Sequence, residues 1–161
     1  MGSTDYACDD DGIAFITINN PSRKNAMTYQ MIEEMYRHLT VAGNEARVVI
    51  LTGAEDAFCA GIDLNFLSGI PPEERGIKVP THDESGLWNI TACPVPVIAA
   101  VNGPAVGMGA EWTSHCDIRI VSTNARFAWN FAHRGLIPDT GAGTRLLPRQ
   151  IGIQNLSLIH I

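Results

Sequence analysis

This sequence is short of basic residues and of long apolar runs. It holds 11 lysines and arginines against 17 aspartates and glutamates, a formal net charge of −6. A generic nucleic-acid-binding protein carries a basic balance or a basic stripe, so that class is excluded. The longest uninterrupted apolar run covers residues 97–101, far below the roughly 20 residues that cross a bilayer. We therefore expect neither a nucleic-acid partner nor a membrane partner.

Cysteines are also few, and a secretory signal is absent. Residues 1–11 are acidic, without the basic start and apolar stretch of a signal peptide. The four cysteines form no C-x-x-C pair; they are Cys8, Cys59, Cys93 and Cys116. This pattern suits reduced thiols better than a disulfide framework or a zinc site. We therefore expect a cytoplasmic protein with no bound metal.

Several common catalytic signatures are missing. The sequence contains no G-x-x-x-x-G-K-[ST] phosphate loop, no H-E-x-x-H and no G-x-S-x-G. Gly103, Gly107 and Gly109 lack the G-x-G-x-x-G spacing of a dinucleotide-binding turn. His115 and Asp117 are near neighbours in sequence, which does not make a catalytic triad, so we interpret both as structural.

Hydrophobic periodicity predicts strands that alternate with helices. Strands are predicted at residues 12–18, 47–53, 95–101, 117–121 and 126–128. Helices are predicted from the N-cap Thr28 to residue 43, near residue 64, at 84–91, from residue 107 and at 144–151. Loops are predicted at residues 69–84 and 135–143. The alternation indicates an α/β fold with stacked or parallel sheets.

Two turns of small residues each follow a predicted buried strand. The first is Ala-Gly-Ile-Asp at residues 60–63, the second is Gly-Met-Gly at residues 107–109, and each enters a helix. The first amides of a helix lack internal partners and carry its partial positive charge. Glycine beside them lets the backbone approach a ligand closely. We predict that the amides of Ile62 and Met108 form an oxyanion hole; the alternative is that these glycines only make turns.

Two acids are candidates for proton transfer beside this hole. Glu111 lies three residues after Met108, so both share one helix face, and its side chain leans back toward the helix start. Asp139 lies among apolar residues of the 135–143 loop, an environment that suits general acid–base work. The alternatives are that Glu111 only complements the charge of the helix and that Asp139 caps the next helix.

Six segments together resemble the crotonase superfamily, the enoyl-CoA hydratases and isomerases. In chain order they are residues 20–27, 60–64, 96–103, 107–111, 116–120 and 138–144. The resemblance covers roughly residues 12 to 152. It implies a spiral of ββα units followed by a helical C-terminal region used in trimerisation. By this resemblance the α/β fold of the chain is incomplete and lacks that helical region.

The resemblance also implies the chemistry, which is stabilisation of a thioester enolate. The amides of Ile62 and Met108 would hold the thioester oxygen of an acyl-CoA, and Arg23 and Lys24 would contact its phosphates. No metal or permanently bound cofactor is implied, since coenzyme A is part of the substrate. The full-length protein would be a homotrimer or a dimer of trimers. The implied substrate-binding residues are Arg23, Lys24, Ala26, Ala60, Gly61, Asp63, Leu64, Asn65 and Gly107.

One departure from the family pattern bears on the reaction. Hydratases of this family use two glutamates; Glu111 matches the first, but Phe131 stands where the second is expected. The segment at residues 135–139 resembles that of isomerases whose carboxylate occupies the position of Asp139. The resemblance therefore implies an enoyl-CoA isomerase in which Asp139 moves the proton and Glu111 assists. The alternatives are an enoyl-CoA hydratase of fatty-acid β-oxidation and a non-catalytic CoA-binding homologue.

The sequence divides into three parts. Residues 1–11 are expected to form an N-terminal arm and residues 12–155 a partial crotonase-like domain. Residues 156–161 can be back-translated as CTG TCT CTT ATA CAC ATC, which matches a transposase-type sequencing adapter. We hypothesise that these six residues are not natural protein sequence. We also expect the fragment to be inactive by itself, because it lacks the part that would complete the CoA pocket.

Overall fold

A five-stranded sheet forms the centre of the computed structural model, which describes residues 2–71, 74, 88–136, 138 and 142–160. The strands are β1 Ser3–Cys8, β2 Ile13–Asn19, β3 Val48–Gly53, β4 Val97–Val101, β5 Ala105–Val106, β6 Ile118–Val121 and β7 Phe127–Ala128. The large sheet has the order β1-β2-β3-β4-β6, while β5 and β7 form a second, two-stranded sheet. Only β1 and β2 pair antiparallel; the other pairs are parallel.

Helices connect the parallel strands, which confirms the predicted α/β fold class. The α-helices are α1 Tyr29–Glu45, α2 Leu64–Ser68, α3 Met108–His115, α4 Leu147–Ile151 and α5 Ile153–His160. Short 3₁₀ helices lie at Pro21–Arg23 and Ala132–Arg134, and a π-helical turn at Ala142–Leu146 leads into α4. None of the helices in the described ranges is both long and apolar enough to cross a membrane.

Helix α1 follows from local sequence signals. Thr28 caps it by accepting a hydrogen bond of 3.4 Å from the Met31 amide, as predicted. Its apolar residues at helical spacing are buried, and the helix contacts β1, β2 and β3. The buried side chains of α1 pack against those of the sheet and form the hydrophobic core. This core includes Met35 from the helix and Ile16 and Leu51 from the sheet.

Residues 1–11 were expected to form an arm, but they contain strand β1. Its sequence, Ser-Thr-Asp-Tyr-Ala-Cys, has no apolar alternation to reveal it, and only Thr4 is buried. The strand is held by its backbone pairing to β2 and by the Thr4 hydroxyl, which donates to the Met31 carbonyl at 3.0 Å. A sheet-edge strand of this kind depends on its neighbour rather than on local propensity.

Other predicted elements are confirmed with small changes of boundary. The helix predicted at 144–151 begins as the π-helical turn and continues as α4. Alternate residues of β3 are buried and the others half-buried, so the sheet is only partly covered on its second face. The helix predicted at 84–91 and the loop predicted at 69–84 lie mostly outside the described residues. Residues 156–160, which were expected to form a non-native tail, belong to α5.

Candidate functional site

Short backbone pairings hold the turn at residues 60–63 beside the start of α3. The Val106 amide donates to the Cys59 carbonyl at 2.9 Å. On the other side of the turn, the Met27 amide donates to the Gly61 carbonyl at 2.8 Å and the Asp63 amide donates to the Met27 carbonyl at 2.9 Å. This parallel pairing flanks Ile62 and leaves its own amide on the opposite side.

Both turns need glycine. Gly61 has a φ of +89° and Gly107 has a φ of +56°, values that side-chain-bearing residues rarely adopt. A Cβ on Gly61 would lie 2.9 Å from the Val106 carbonyl oxygen and 3.6 Å from the Met108 amide nitrogen. Because Gly61 has no side chain, the 60–63 turn can lie against the backbone of residues 106–108.

Two amide donors remain unused where these turns meet. Among the described residues, neither the Ile62 amide nor the Met108 amide donates to a protein acceptor. Met108 opens α3, so its amide also carries part of the positive end of that helix. Within the described part of the chain, both amides of the predicted pair therefore lack a protein acceptor.

A cavity of about 300 Å³ has both turns in its wall. Of the predicted binding residues, it is lined by Ala60, Gly61, Leu64 and Gly107. Five further lining residues were not predicted from the sequence; they are Leu67, Val106, Asn130, Arg134 and Leu136. This volume is at the small end of the range for ligand sites.

Glu111 lies one helical turn beyond Met108 and is fully buried. Its Oε1 atom accepts a hydrogen bond of 2.7 Å from the Gly143 amide. A Cβ on Gly143 would lie 2.5 Å from that oxygen and 2.9 Å from Cδ1 of Trp129. The carboxylate is therefore packed beneath the segment around Gly143 and does not itself line the described cavity.

The second predicted acid, Asp139, lies outside the described residues. Phe131, which stands where a second glutamate was expected, lines the cavity. Its ring atom Cζ would be 4.0 Å from a Cβ on Gly107. The cavity wall is thus apolar at Phe131, where the family pattern would place a second glutamate.

The predicted phosphate contacts are both engaged in ion pairs. Arg23 binds Asp63 through two hydrogen bonds, of 3.0 and 3.2 Å, and Lys24 contacts Asp56 at 2.6 Å. Hydrogen bonding by Arg23 lowers the pKa of Asp63, and the amides of Asn65 and Phe66, which Asp63 caps at the start of α2, act in the same direction.

Five of the predicted binding residues do not line the described cavity; they are Arg23, Lys24, Ala26, Asp63 and Asn65. Their predicted role as contacts to the nucleotide part of the ligand stays a prediction.

Cys59 directly precedes the 60–63 turn but is unsuited to act as a nucleophile. It is fully buried, and its Sγ atom accepts a hydrogen bond of 3.4 Å from the Gly61 amide. Burial raises the pKa of the thiol to about 12, so the reactive thiolate is scarce at neutral pH. Among the residues that the structure describes, no cluster of three His, Cys, Asp or Glu side chains could hold a metal ion.

Known proteins are similar to this chain in sequence and in fold. A family model described as enoyl-CoA hydratase/isomerase matches residues 9–160. The chain is 40% identical over 147 residues to a protein named probable enoyl-CoA hydratase from Rhodobacter capsulatus, covering 89% of this chain and 55% of that protein. It is 34% identical over 148 residues to ethylmalonyl-CoA decarboxylase from Xenopus laevis, covering 91% of this chain and 50% of that protein.

The fold comparison agrees. A solved enoyl-CoA hydratase/isomerase from Pseudoalteromonas atlantica matches with a TM-score of 0.83 and 32% identity, covering 96% of this chain and 60% of that one. The chain thus spans about half the length of the relatives that it matches in sequence.

Proposed function

Because the chain belongs to the enoyl-CoA hydratase/isomerase family, we propose that the protein binds an acyl-CoA thioester and moves the C=C bond of its acyl group. Coenzyme A enters as part of the substrate, and no other cofactor is needed. The observation that carries this proposal is that Ile62 and Met108, whose amides have no acceptor among the described residues, line the same cavity. Two such donors suit the oxygen of a thioester enolate.

The two amides would stabilise the charge that develops during proton removal. A base takes a proton from the α carbon of a 3-enoyl thioester, and the electron pair spreads onto the thioester oxygen. Each donor to such an oxyanion is worth about 2.7–4 kcal/mol. Return of the proton to the γ carbon gives the conjugated 2-enoyl thioester, so atoms and charge balance without water.

Isomerisation is favoured over hydration by the apolar wall at Phe131. Hydration requires a group that activates water on the β carbon, and a phenyl ring can neither accept nor donate a proton. Isomerisation requires only one carboxylate that serves first as base and then as acid. We assign this role to Asp139, with Glu111 assisting from its buried position one turn after Met108.

The test measures formation of the conjugated thioester from 3-hexenoyl-CoA by the full-length protein. We expect Asp139→Asn to lower kcat by about 100-fold or more and Glu111→Gln to lower it less. Asp10→Asn, which removes an exposed carboxylate far along the chain from the site, is the matched control and should retain full activity. If Asp139→Asn keeps full isomerase activity, the assignment of Asp139 is wrong.

Hydration by Glu111 alone is the second candidate function. It is favoured by the position of Glu111 beside Met108 and by the name of the Rhodobacter capsulatus relative. Crotonyl-CoA hydration and ethylmalonyl-CoA decarboxylation, measured on the same preparation, separate these reactions from isomerisation. Binding of acyl-CoA with no turnover of any of the three substrates would instead support a non-catalytic homologue.

We further propose that the full-length protein assembles as a trimer or a dimer of trimers in the cytoplasm. Light scattering after size-exclusion chromatography gives the mass directly. A monomeric full-length protein would contradict this assembly without affecting the proposed chemistry.

A further inference from the structure

Among the described residues that line the cavity beside the two glycine turns, one side chain is charged. Most of the cavity wall is apolar, with Leu64, Leu67, Phe131 and Leu136 among its lining residues, yet Arg134 also contributes to it. The two ion pairs found in the described part of the chain do not include Arg134. A guanidinium is always charged at physiological pH and offers five N–H donors in a planar fork. The cavity therefore contains a cation suited to an anion.

One continuous segment, residues 130–136, connects Arg134 to the wall of the cavity next to Gly107. A Cβ on Gly107 would lie 3.9 Å from Oδ1 of Asn130 and 4.0 Å from Cζ of Phe131, so this segment begins against the turn at residues 107–109. It continues as the 3₁₀ helix Ala132–Arg134, whose first turn is closed by the Arg134 amide donating to the Phe131 carbonyl at 2.9 Å.

A second hydrogen bond stiffens the same segment. The Leu136 amide also donates to the Phe131 carbonyl, at 3.0 Å. A 3₁₀ helix rises about 2 Å per residue, so the Arg134 backbone lies about 6 Å beyond that of Phe131 along the helix axis. Both residues line the same cavity, whose volume of about 300 Å³ suits a short acyl chain.

We propose that the substrate's acyl group is short and ends in a carboxylate, and that Arg134 is the residue that selects it. The proposal rests on the part of the proposed function that seats the thioester oxygen between the Ile62 and Met108 amides. With that oxygen in place, the acyl carbons lie along the apolar wall and the terminal carboxylate reaches the guanidinium. A guanidinium binds a carboxylate through two parallel hydrogen bonds, which gives both affinity and orientation.

Coenzyme A also supplies anions, through its phosphates, so the source of the anion must be distinguished. The acyl carboxylate is favoured because Arg134 shares the cavity with four apolar side chains that suit a methylene chain. Phosphates are strongly hydrated and gain little from such walls. Asn130, whose Oδ1 atom would lie 3.9 Å from a Cβ on Gly107, is at the opposite end of the segment from Arg134.

The experiment compares two saturated ligands of equal length, adipoyl-CoA and hexanoyl-CoA, by calorimetry on the full-length protein. Neither ligand requires turnover. We expect adipoyl-CoA to bind about tenfold or more tightly than hexanoyl-CoA, because charge-assisted hydrogen bonds are the strong ones. Arg134→Gln should abolish the preference with little change for hexanoyl-CoA, and Arg134→Lys should retain part of it. Arg149→Gln, on an exposed arginine of α4 outside the cavity, is the matched control.

Two results would overturn the proposal. One is equal affinity of the unaltered protein for both ligands. The other is an equal loss of affinity for adipoyl-CoA, hexanoyl-CoA and free coenzyme A in Arg134→Gln, because the arginine would then contact a phosphate of the carrier. Isomerisation of 3-hexenoyl-CoA is measured in parallel, so that a failure of the carboxylate proposal can be told apart from a failure of the proposed reaction. Turnover without the carboxylate preference contradicts only the inference, and the preference without turnover contradicts only the reaction.

Discussion

The Gly143 amide donates a hydrogen bond of 2.7 Å to Oε1 of Glu111, a residue 32 positions earlier in the chain. This bond joins helix α3 to the π-helical turn at Ala142–Leu146. It provides a neutral donor to a carboxylate that is fully buried. Because burial of a charge without hydrogen bonds is costly, the position of Gly143 helps to decide where the Glu111 carboxylate can lie.

Gly143→Ala should therefore impair the site. The added Cβ would lie 2.5 Å from Glu111 Oε1 and 2.9 Å from Trp129 Cδ1, so the carboxylate or the indole must shift. We expect a loss of about 1–3 kcal/mol in the free energy of unfolding, as in overpacked cores, and at least a tenfold lower kcat.

The matched control is Gly69→Ala. Its nearest atom would be the Phe66 carbonyl oxygen at 3.4 Å and its φ is −79°, so neither stability nor kcat should change much. Urea unfolding and steady-state kinetics provide both readouts. Unchanged kcat in Gly143→Ala would show that the carboxylate position is not required for turnover.

Gly61→Ala tests the predicted oxyanion turn. Its φ of +89° strains any L side chain, and the Cβ would lie 2.9 Å from the Val106 backbone oxygen. We expect movement of the adjoining Ile62 amide and a fall in kcat of about 100-fold, which is the effect of losing one oxyanion donor.

Gly152→Ala separates backbone strain from displacement of the site. Gly152 also has a positive φ, +81°, but no atom lies within 4 Å of its added Cβ. This variant should lose stability by about 1 kcal/mol and keep its kcat. Equal kinetic losses in both variants would contradict a local role for the 60–63 turn.

His115 should make folding stability fall as the pH falls. Its side chain is buried, its Nδ1 lies 2.9 Å from the Thr91 hydroxyl oxygen, and its Nε2 has no partner in the described part of the chain. Burial lowers the pKa of His115 from 6.5 to about 4. Between these two values the unfolded chain binds a proton that the folded chain does not.

The free energy of unfolding should therefore decrease as the pH falls from 7.5 to 5. Relative to His115→Gln, which removes the titration, the unaltered protein should lose about 2 kcal/mol more over this interval. Urea unfolding of both proteins at several pH values gives the difference, in which the effects of the other titrating groups cancel. Parallel curves would show that His115 titrates normally in the folded state.

Cys59 should be inert toward alkylation in the folded protein. Its thiol has a pKa raised to about 12 by complete burial, whereas Cys8 is exposed. At pH 8, iodoacetamide should modify Cys8 rapidly and leave Cys59 unmodified until urea is added, as peptide mass spectrometry can show. Cys8→Ser supplies the control for site assignment. Rapid modification of Cys59 in the native protein would mean that this turn opens readily.

Local pattern was enough to predict much of the framework. Helix α1 is confirmed because its cap at Thr28 and its apolar spacing are properties of neighbouring residues. Strands β3 and β4 are confirmed because short apolar runs bounded by turn residues favour buried strands. Strand β1 was not predicted because its sequence has no apolar alternation and its pairing to β2 involves residues outside the segment.

The sequence by itself determined the family, the residue types of the two glycine turns and the absence of a second glutamate at Phe131. These are statements about identity and spacing along the chain. Only the tertiary structure decided that Glu111 lies beneath Gly143, that Arg23 pairs with Asp63 and that Arg134 shares a cavity with both turns. Each of these relations joins residues from separate elements, and their distances depend on how strands and helices pack rather than on any local preference.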